Sequence, residues 1–243
     1  MIKKKVGVIG YGKWGKIIVN ELCKISNIQF ILRSKDDYKN YTNKVDWIFV
    51  LTPNNTHYSI TKFFLKKKIN VFCEKPLSLK ITEAKKLVTL SNSNNVKLYI
   101  NDIENFKNKK IKVNKLINHI IRTKKDDITS NSLLYRLAYH DFYLLSKYIY
   151  LDKIKLIKSK KINKKKLNFE IILKNNQVFN FYYDINRNPA EHIINKTKFH
   201  IYNINPIKKM LMSILYKSHT SFKKNNQDAL NCIKLITKVK NNI

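Results

Sequence analysis

The chain has four glycines in 243 residues, and all four fall between Gly7 and Gly15. Three of them, Gly10, Gly12 and Gly15, stand in the spacing G-x-G-x-x-G. A short apolar run (Val6, Val8, Ile9) precedes them and an amphipathic run follows. Elsewhere the turns are left to Asn, Lys and Asp, so glycine is kept only where a side chain would not fit. In this spacing the first glycine permits a tight strand-to-helix turn. The second lets backbone approach a pyrophosphate, and the third lets helix and strand pack closely. The helix that follows presents free N–H groups and a positive dipole end to phosphates. Such a fingerprint is weak alone; a strand before it and a helix after it supply the required context. The spacing therefore predicts a dinucleotide-binding turn.

The next hundred residues keep the rhythm this turn begins. Residues 2–9 read as a strand and 13–25 as a helix, with Trp14, Ile17, Ile18, Leu22 and Ile25 near a 3.6-residue period. Ile28–Leu32 is a second strand. Val45–Leu51 is a continuous apolar run suited to a parallel strand buried on both faces. Thr52-Pro53-Asn54-Asn55-Thr56-His57 ends it and caps the next helix. Ile69–Cys73 is a further buried strand, Ile81–Asn92 a helix, and Val96–Ile100 closes the series. This alternation predicts a doubly wound parallel sheet, an α/β Rossmann domain over residues 1–101. Residues 102–243 read as a smaller α+β domain with a mainly antiparallel sheet. In it, 103–130 is an abbreviated link, and strands fall near 154–159, 167–174 and 177–184. The last two form a hairpin across Asn175-Asn176. Thr197–Ile204 is another strand, and residues 226–240 form a closing helix.

Composition narrows the function classes. The formal charge of +33 invites a nucleic-acid reading, but only four of the 49 basic residues are Arg: Arg33, Arg122, Arg136 and Arg187. Lysine is spread along the whole chain beside abundant Asn and Ile, a compositional drift in place of a clustered Arg-rich face. The densest cluster, Lys158–Lys166, reads as a solvated loop or edge strand. No apolar run approaches the ~20 residues of a membrane span, and Val6–Ile9 is too short for a signal-peptide core. Cys23, Cys73 and Cys232 have no metal-type spacing and read as reduced thiols of a cytoplasmic protein. No metal, nucleic-acid or membrane partner is expected.

The end of the second strand bears on cofactor choice. An acid there would hold the ribose 2′-hydroxyl of NAD, whereas an Arg accommodates the 2′-phosphate of NADP. The chain offers Arg33-Ser34-Lys35, then Asp36-Asp37. Arg33 in the acidic position favours NADP; a longer strand would bring Asp36 there and favour NAD. Lys75 stands at the carboxyl end of a strand, where ligands bind in such sheets.

Four segments together resemble the glucose–fructose oxidoreductase / inositol dehydrogenase family of NAD(P)-dependent sugar oxidoreductases. They are Gly-Tyr-Gly-Lys-Trp-Gly, the Thr52–His57 turn, Val71-Phe72-Cys73-Glu74-Lys75-Pro76-Leu77, and Leu134–Asp141 with its His140-Asp141 pair. The likeness covers the first hundred residues well and thins beyond them, so the chain resembles a shortened member. It implies cofactor contacts from Gly10, Gly12, Lys13, Trp14, Gly15, Arg33, Ser34, Thr52, Pro53, Asn54, His57, Glu74 and Lys75. It implies that Lys75, beside a Lys-Pro bond that could be cis, sits next to the nicotinamide and the reacting sugar carbon. His140 would be the general base, with Arg136 and Asp141 at the substrate. The residue reading gives His57 a second role, as a helix-start residue. Arg136 departs from the acid the family usually carries there. It could hold a substrate carboxylate or phosphate, lower the His140 pKa, or mark a relative that binds dinucleotide without turning over sugar. The implied partners are a sugar or nucleotide sugar and further copies of the chain, paired through the C-terminal sheet.

Overall fold

In a computed structural model the described residues are 2–41, 45–107, 111–125, 133–163, 165–198, 205–217 and 220–242. Two compact units emerge: Met1–Phe106 with Asn205–Leu230, and Lys107–Ile204 with Asn231–Ile243.

The first unit carries the alternation read from the sequence. Its strands are β1 (Lys5–Ile9), β2 (Asn27–Leu32), β3 (Trp47–Val50), β4 (Asn70–Cys73) and β5 (Leu98–Ile100). Between them run α1 (Lys13–Ile25), α2 (His57–Lys66) and α3 (Ile81–Ser93). The sheet is parallel throughout, in the order β2-β1-β3-β4-β5. Every residue of β3 is buried, as two-sided coverage requires. On α1 the buried residues are Gly15, Ile18, Val19, Glu21, Leu22 and Ile25. The β1–β2 register slips between Val6 and Gly7, where Phe30 crosses over β1, and a Cβ on Gly7 would strike that ring.

The chain returns to this unit near its end, which differs from two consecutive blocks divided at residue 101. Helix α5 (Pro206–Tyr216) buries Met210, Leu211, Ile214 and Leu215 in the same core as Val6, Ile18, Leu22 and Phe49. The Tyr216 hydroxyl donates to the Ile25 carbonyl at 2.5 Å. The start of α5 carries a local signal: Asn205 Oδ1 accepts the Lys208 N–H at 3.0 Å and Pro206 opens the first turn. Helix α6 (Phe222–Lys240) begins earlier than the closing helix expected at residue 226. Its Asn225 side chain hydrogen-bonds both the N–H and the carbonyl of Ile100, so it completes the pairing of edge strand β5.

The second unit is built on a six-stranded sheet in the order β11-β10-β6-β9-β8-β7. Its strands are β6 (Ile117–Thr123), β7 (Ile154–Asn163), β8 (Lys166–Leu173), β9 (Val178–Asp184), β10 (Glu191–Ile194) and β11 (Thr197–Lys198). All neighbours are antiparallel except β6 and β9. The β8–β9 hairpin forms as expected, with Asn176 at φ +64° in its turn. Every second residue of β8 is buried, and its Phe169 stacks on Phe181 of β9 at 4.8 Å. Strand β6 lies inside the segment expected to be a link. Its polar residues Asn118, His119 and Arg122 blur the alternation, because their partners lie far away in sequence. Beyond Lys198 the strand expected at Thr197–Ile204 lies outside the described residues.

A short π-helix (Leu134–Ala138) runs directly into α4 (Tyr139–Leu144). Phe142 of α4 packs edge-on against Phe181 at 5.4 Å, which seats the helix on the inner face of this sheet.

Candidate active site

The glycine turn is shaped as its spacing predicts. Gly10 has φ +105°, and a Cβ there would lie 2.5 Å from the Leu51 carbonyl carbon and oxygen. A Cβ on Gly15 would collide with the Gly10 carbonyl oxygen. Both positions are fixed by the protein's own packing. Gly12 is different: its Cβ would meet nothing within 4 Å. Among the described residues nothing crowds that position, so the backbone at Gly12 is left open to approach from outside. Gly12 is also the N-cap of α1 and supplies no side-chain cap to it. The first turn of the helix thus has no side-chain cap from Gly12, and such an open N-terminus beside bare backbone fits a dinucleotide pyrophosphate. Lys13 is exposed and Trp14 half-buried beside it.

Strand β2 stops at Leu32, so Arg33 is the first residue beyond it, exposed together with Ser34. The Asp36 carboxylate accepts the Arg33 N–H at 2.7 Å. Asp36 is thus held in a local turn, and the strand does not run on to it.

At the end of β4, Glu74 acts as a clamp. Its Oε1 accepts from the Trp14 indole N–H and from the Asn101 amide, while Oε2 accepts the Lys75 N–H at 3.2 Å. One carboxylate thereby ties α1, the end of β4 and the end of β5 together. Its oxygens are occupied by protein donors, which makes Glu74 a positioning group more than a cofactor contact. Lys75 follows, half-buried at the carboxyl end of the sheet, and the Lys75–Pro76 bond is cis.

The Thr52–His57 turn corrects two expectations. It precedes α2 but caps it with no side chain. The Thr56 hydroxyl points back to Thr52 Oγ1 and the Pro53 carbonyl, both at 2.7 Å, because Thr56 already has helical backbone angles. His57 is wholly buried, with Nδ1 2.6 Å from the Pro76 carbonyl and Nε2 2.8 Å from the Thr52 carbonyl. Its ring is engaged with backbone on both sides, so it is not available to a cofactor. Pro53 and Asn54 are exposed, and Thr52 is buried.

In the second unit, Arg136 lies within the π-helix and His140 in the first turn of α4. Arg136 is exposed and His140 half-buried, on a segment whose Leu134, Leu137, Ala138 and Phe142 point into the core. Asp141, expected at the substrate, is instead fully buried. Its Oδ1 accepts from Arg122 Nη2 and from His192 Nε2, each at 2.8 Å. Burial pushes the Asp141 carboxyl up, but Arg122 and His192 outweigh it and hold the group well below the usual carboxylate range. Burial and the Asp141 charge together raise the Tyr183 phenol. Arg122 and His192 escaped the sequence reading because neither sits in a motif. One signal was present: an Asp in an apolar helix needs a buried cation, and this chain keeps very few Arg.

Comparison with known proteins bears out the resemblance. Residues 21–102 match the model of an oxidoreductase family with an NAD-binding Rossmann fold. An uncharacterized oxidoreductase of Escherichia coli is 36% identical over 58 residues, which are 24% of this chain and 18% of that protein. The chain thus matches under a fifth of that relative's length. Across the whole chain the fold is that of UDP-N-acetylglucosamine 3-dehydrogenase from Acidithiobacillus ferrooxidans, with a TM-score of 0.83 at 13% identity, covering 100% of this chain and 98% of that one. A myo-inositol dehydrogenase from Corynebacterium glutamicum gives 0.75 at 10% identity, covering 99% and 96%. Among the described residues no helix is long and apolar enough to cross a membrane.

Proposed function

We propose that this protein is an NAD(P)-dependent oxidoreductase that moves a hydride between a nicotinamide and a hydroxyl or ketone of a sugar, with a nucleotide-linked sugar as the substrate class. The observation that carries the reading is Gly12, a bare backbone position the fold itself does not require, at the uncapped start of α1. Arg33, standing directly after β2 while Asp36 is held in its own turn, supports NADP over NAD. The backbone of Gly10–Gly15 would hold the pyrophosphate and Arg33 with Ser34 the 2′-phosphate. When bound, the nicotinamide supplies the hydride acceptor or donor. Lys75 donates a hydrogen bond to the reacting oxygen and favours its alkoxide-like form. His140 takes or returns the hydroxyl proton, work suited to an imidazole, which can both accept and donate one. Arg136 binds an anionic part of the substrate through its planar fork. Copies of the chain pair through the outer face of the second sheet, which sedimentation of the purified protein would test.

The test is a titration with NADPH and NADH, followed by a panel of nucleotide sugars read at the reduced-nicotinamide absorbance band. Tighter binding of NADPH is expected, and Arg33→Ala should remove most of that preference. Lys75→Ala and His140→Ala should each lower kcat by about 10²-fold or more with dinucleotide affinity kept. A chain that binds neither dinucleotide overturns the reading. Tight binding without turnover on any sugar would favour the alternative that Arg136 motivates, a dinucleotide-binding regulatory relative.

A further inference from the structure

His57 is a buried ring with a carbonyl oxygen at each end and no water-facing edge. A carbonyl oxygen can only accept a hydrogen bond. A neutral imidazole has one N–H and one lone pair, so at one end lone pair would face lone pair. At 2.6 Å and 2.8 Å both contacts are at hydrogen-bond distance. The geometry therefore calls for hydrogen on both nitrogens.

The two carbonyls belong to the two loops that matter most in this unit. Thr52 lies against the glycine turn, its N 2.7 Å from the Cβ position of Gly10. Pro76 follows Lys75. The ring thus spans from the wall of the cradle to the turn that carries Lys75.

We propose that His57 is a positioning residue: an imidazolium that donates to both carbonyls, clamps the Lys75–Pro76 turn to the Thr52 wall of the cradle and so sets where Lys75 stands. The inference rests on the oxidoreductase reading for its consequence, but not for its charge state. Burial alone would lower the His57 pKa. Cys73, which faces the ring from β4, and the two carbonyls outweigh burial and raise the pKa to about 9. Among charged groups nearby, Glu74 is engaged with Trp14, Asn101 and the Lys75 N–H.

The experiment is nitrogen-15 NMR of histidine-labelled full-length protein without ligand, in wild type, His57→Gln and His57→Phe. Both ring nitrogens of His57 should resonate as protonated at pH 7 and pH 8; one unprotonated nitrogen overturns the proposal. In His57→Gln, which offers donors from a single nitrogen, the backbone amide signals of Lys75 and Leu77 should shift while that of Gly12 stays. Unmoved Lys75 and Leu77 signals in a folded variant also overturn it. In turnover, NADPH affinity should change less than about threefold, while kcat falls about tenfold for Gln and further for Phe. Equal losses in affinity and kcat would reduce His57 to a general structural role and reject the clamp. Should wild type show no turnover, the oxidoreductase reading falls, and the NMR arms still decide the clamp.

Discussion

A methyl group added at Gly10 or Gly15 meets backbone; one added at Gly12 meets nothing. The three glycines of one motif should therefore fail in different ways. Gly10→Ala forces an L side chain into positive φ against the Leu51 carbonyl, and Gly15→Ala drives helix from strand. Each should destabilise the fold by about 2–4 kcal/mol, by the cost of overpacking and backbone strain. Gly12→Ala should leave the melting temperature within a few degrees and weaken dinucleotide binding at least about tenfold, roughly 1.4 kcal/mol. Thermal denaturation by circular dichroism and a fluorescence titration with NADPH separate the two. If Gly12→Ala binds as wild type does, the cradle is not a phosphate site. The same residue-by-residue reasoning applies to arginine. In a chain that has moved to lysine, Arg122 survives where a buried carboxylate needs a planar donor, and Arg187 lies 3.6 Å from the Asp184 carboxylate.

At the scale of elements, the segment from the π-helix through α4 is held down by one buried charge cluster. Asp141 is fixed by Arg122 from β6 and His192 from β10, two strands that the sequence did not reveal. Asp141→Asn leaves Arg122 buried without its counter-ion and should cost about 3–5 kcal/mol. Hydrogen exchange over residues 134–144 should speed up in that variant. The pH dependence follows from the sign of the shift. A carboxyl held below its unfolded value stabilises the fold above about pH 4 and withdraws that support as pH falls further. Acid melts of wild type should thus steepen below about pH 4, and Asp141→Asn should flatten them; identical slopes would show that the cluster contributes nothing. The elements the sequence made legible are those whose signal is local: the β1 turn, α1, the buried strands and the Asn175-Asn176 hairpin. The place of Lys75 just beyond β4 was legible because the apolar run that makes the strand ends at Cys73. β6 and the Arg122–Asp141–His192 cluster were not, because their logic lies in contacts between residues 19 to 70 positions apart. Asp141 was misplaced for the same reason. A carboxylate beside a candidate base reads as a substrate contact until its buried partners are seen.

At the scale of the whole molecule, the first unit is completed by the segment Asn205–Leu230, which joins it from beyond the second. Met210, Leu211, Ile214 and Leu215 are all under 7% exposed in a core shared with α1, β1 and β3. Burial of such side chains contributes about 1.5–3 kcal/mol each, so four of them rival the ~5–15 kcal/mol net stability of a domain. Asn225 adds the pairing of β5, whose edge would otherwise be open at Ile100. A fragment of residues 1–106 is therefore expected to keep secondary structure but lose cooperative melting and bind a hydrophobic dye. Joining residues 205–230 to it through a flexible linker should restore a sharp transition, since α5 already lies against the Ile103–Phe106 turn. A fragment 1–106 that melts cooperatively within about 5 °C of the full chain, on the scale where 1 kcal/mol moves a domain of this size by about 4–8 °C, would show the Rossmann sheet to be self-sufficient. The expectation of failure comes from the physics of the core. A doubly wound sheet needs both faces covered, and here part of the cover is supplied by a helix that the chain reaches only after residue 204.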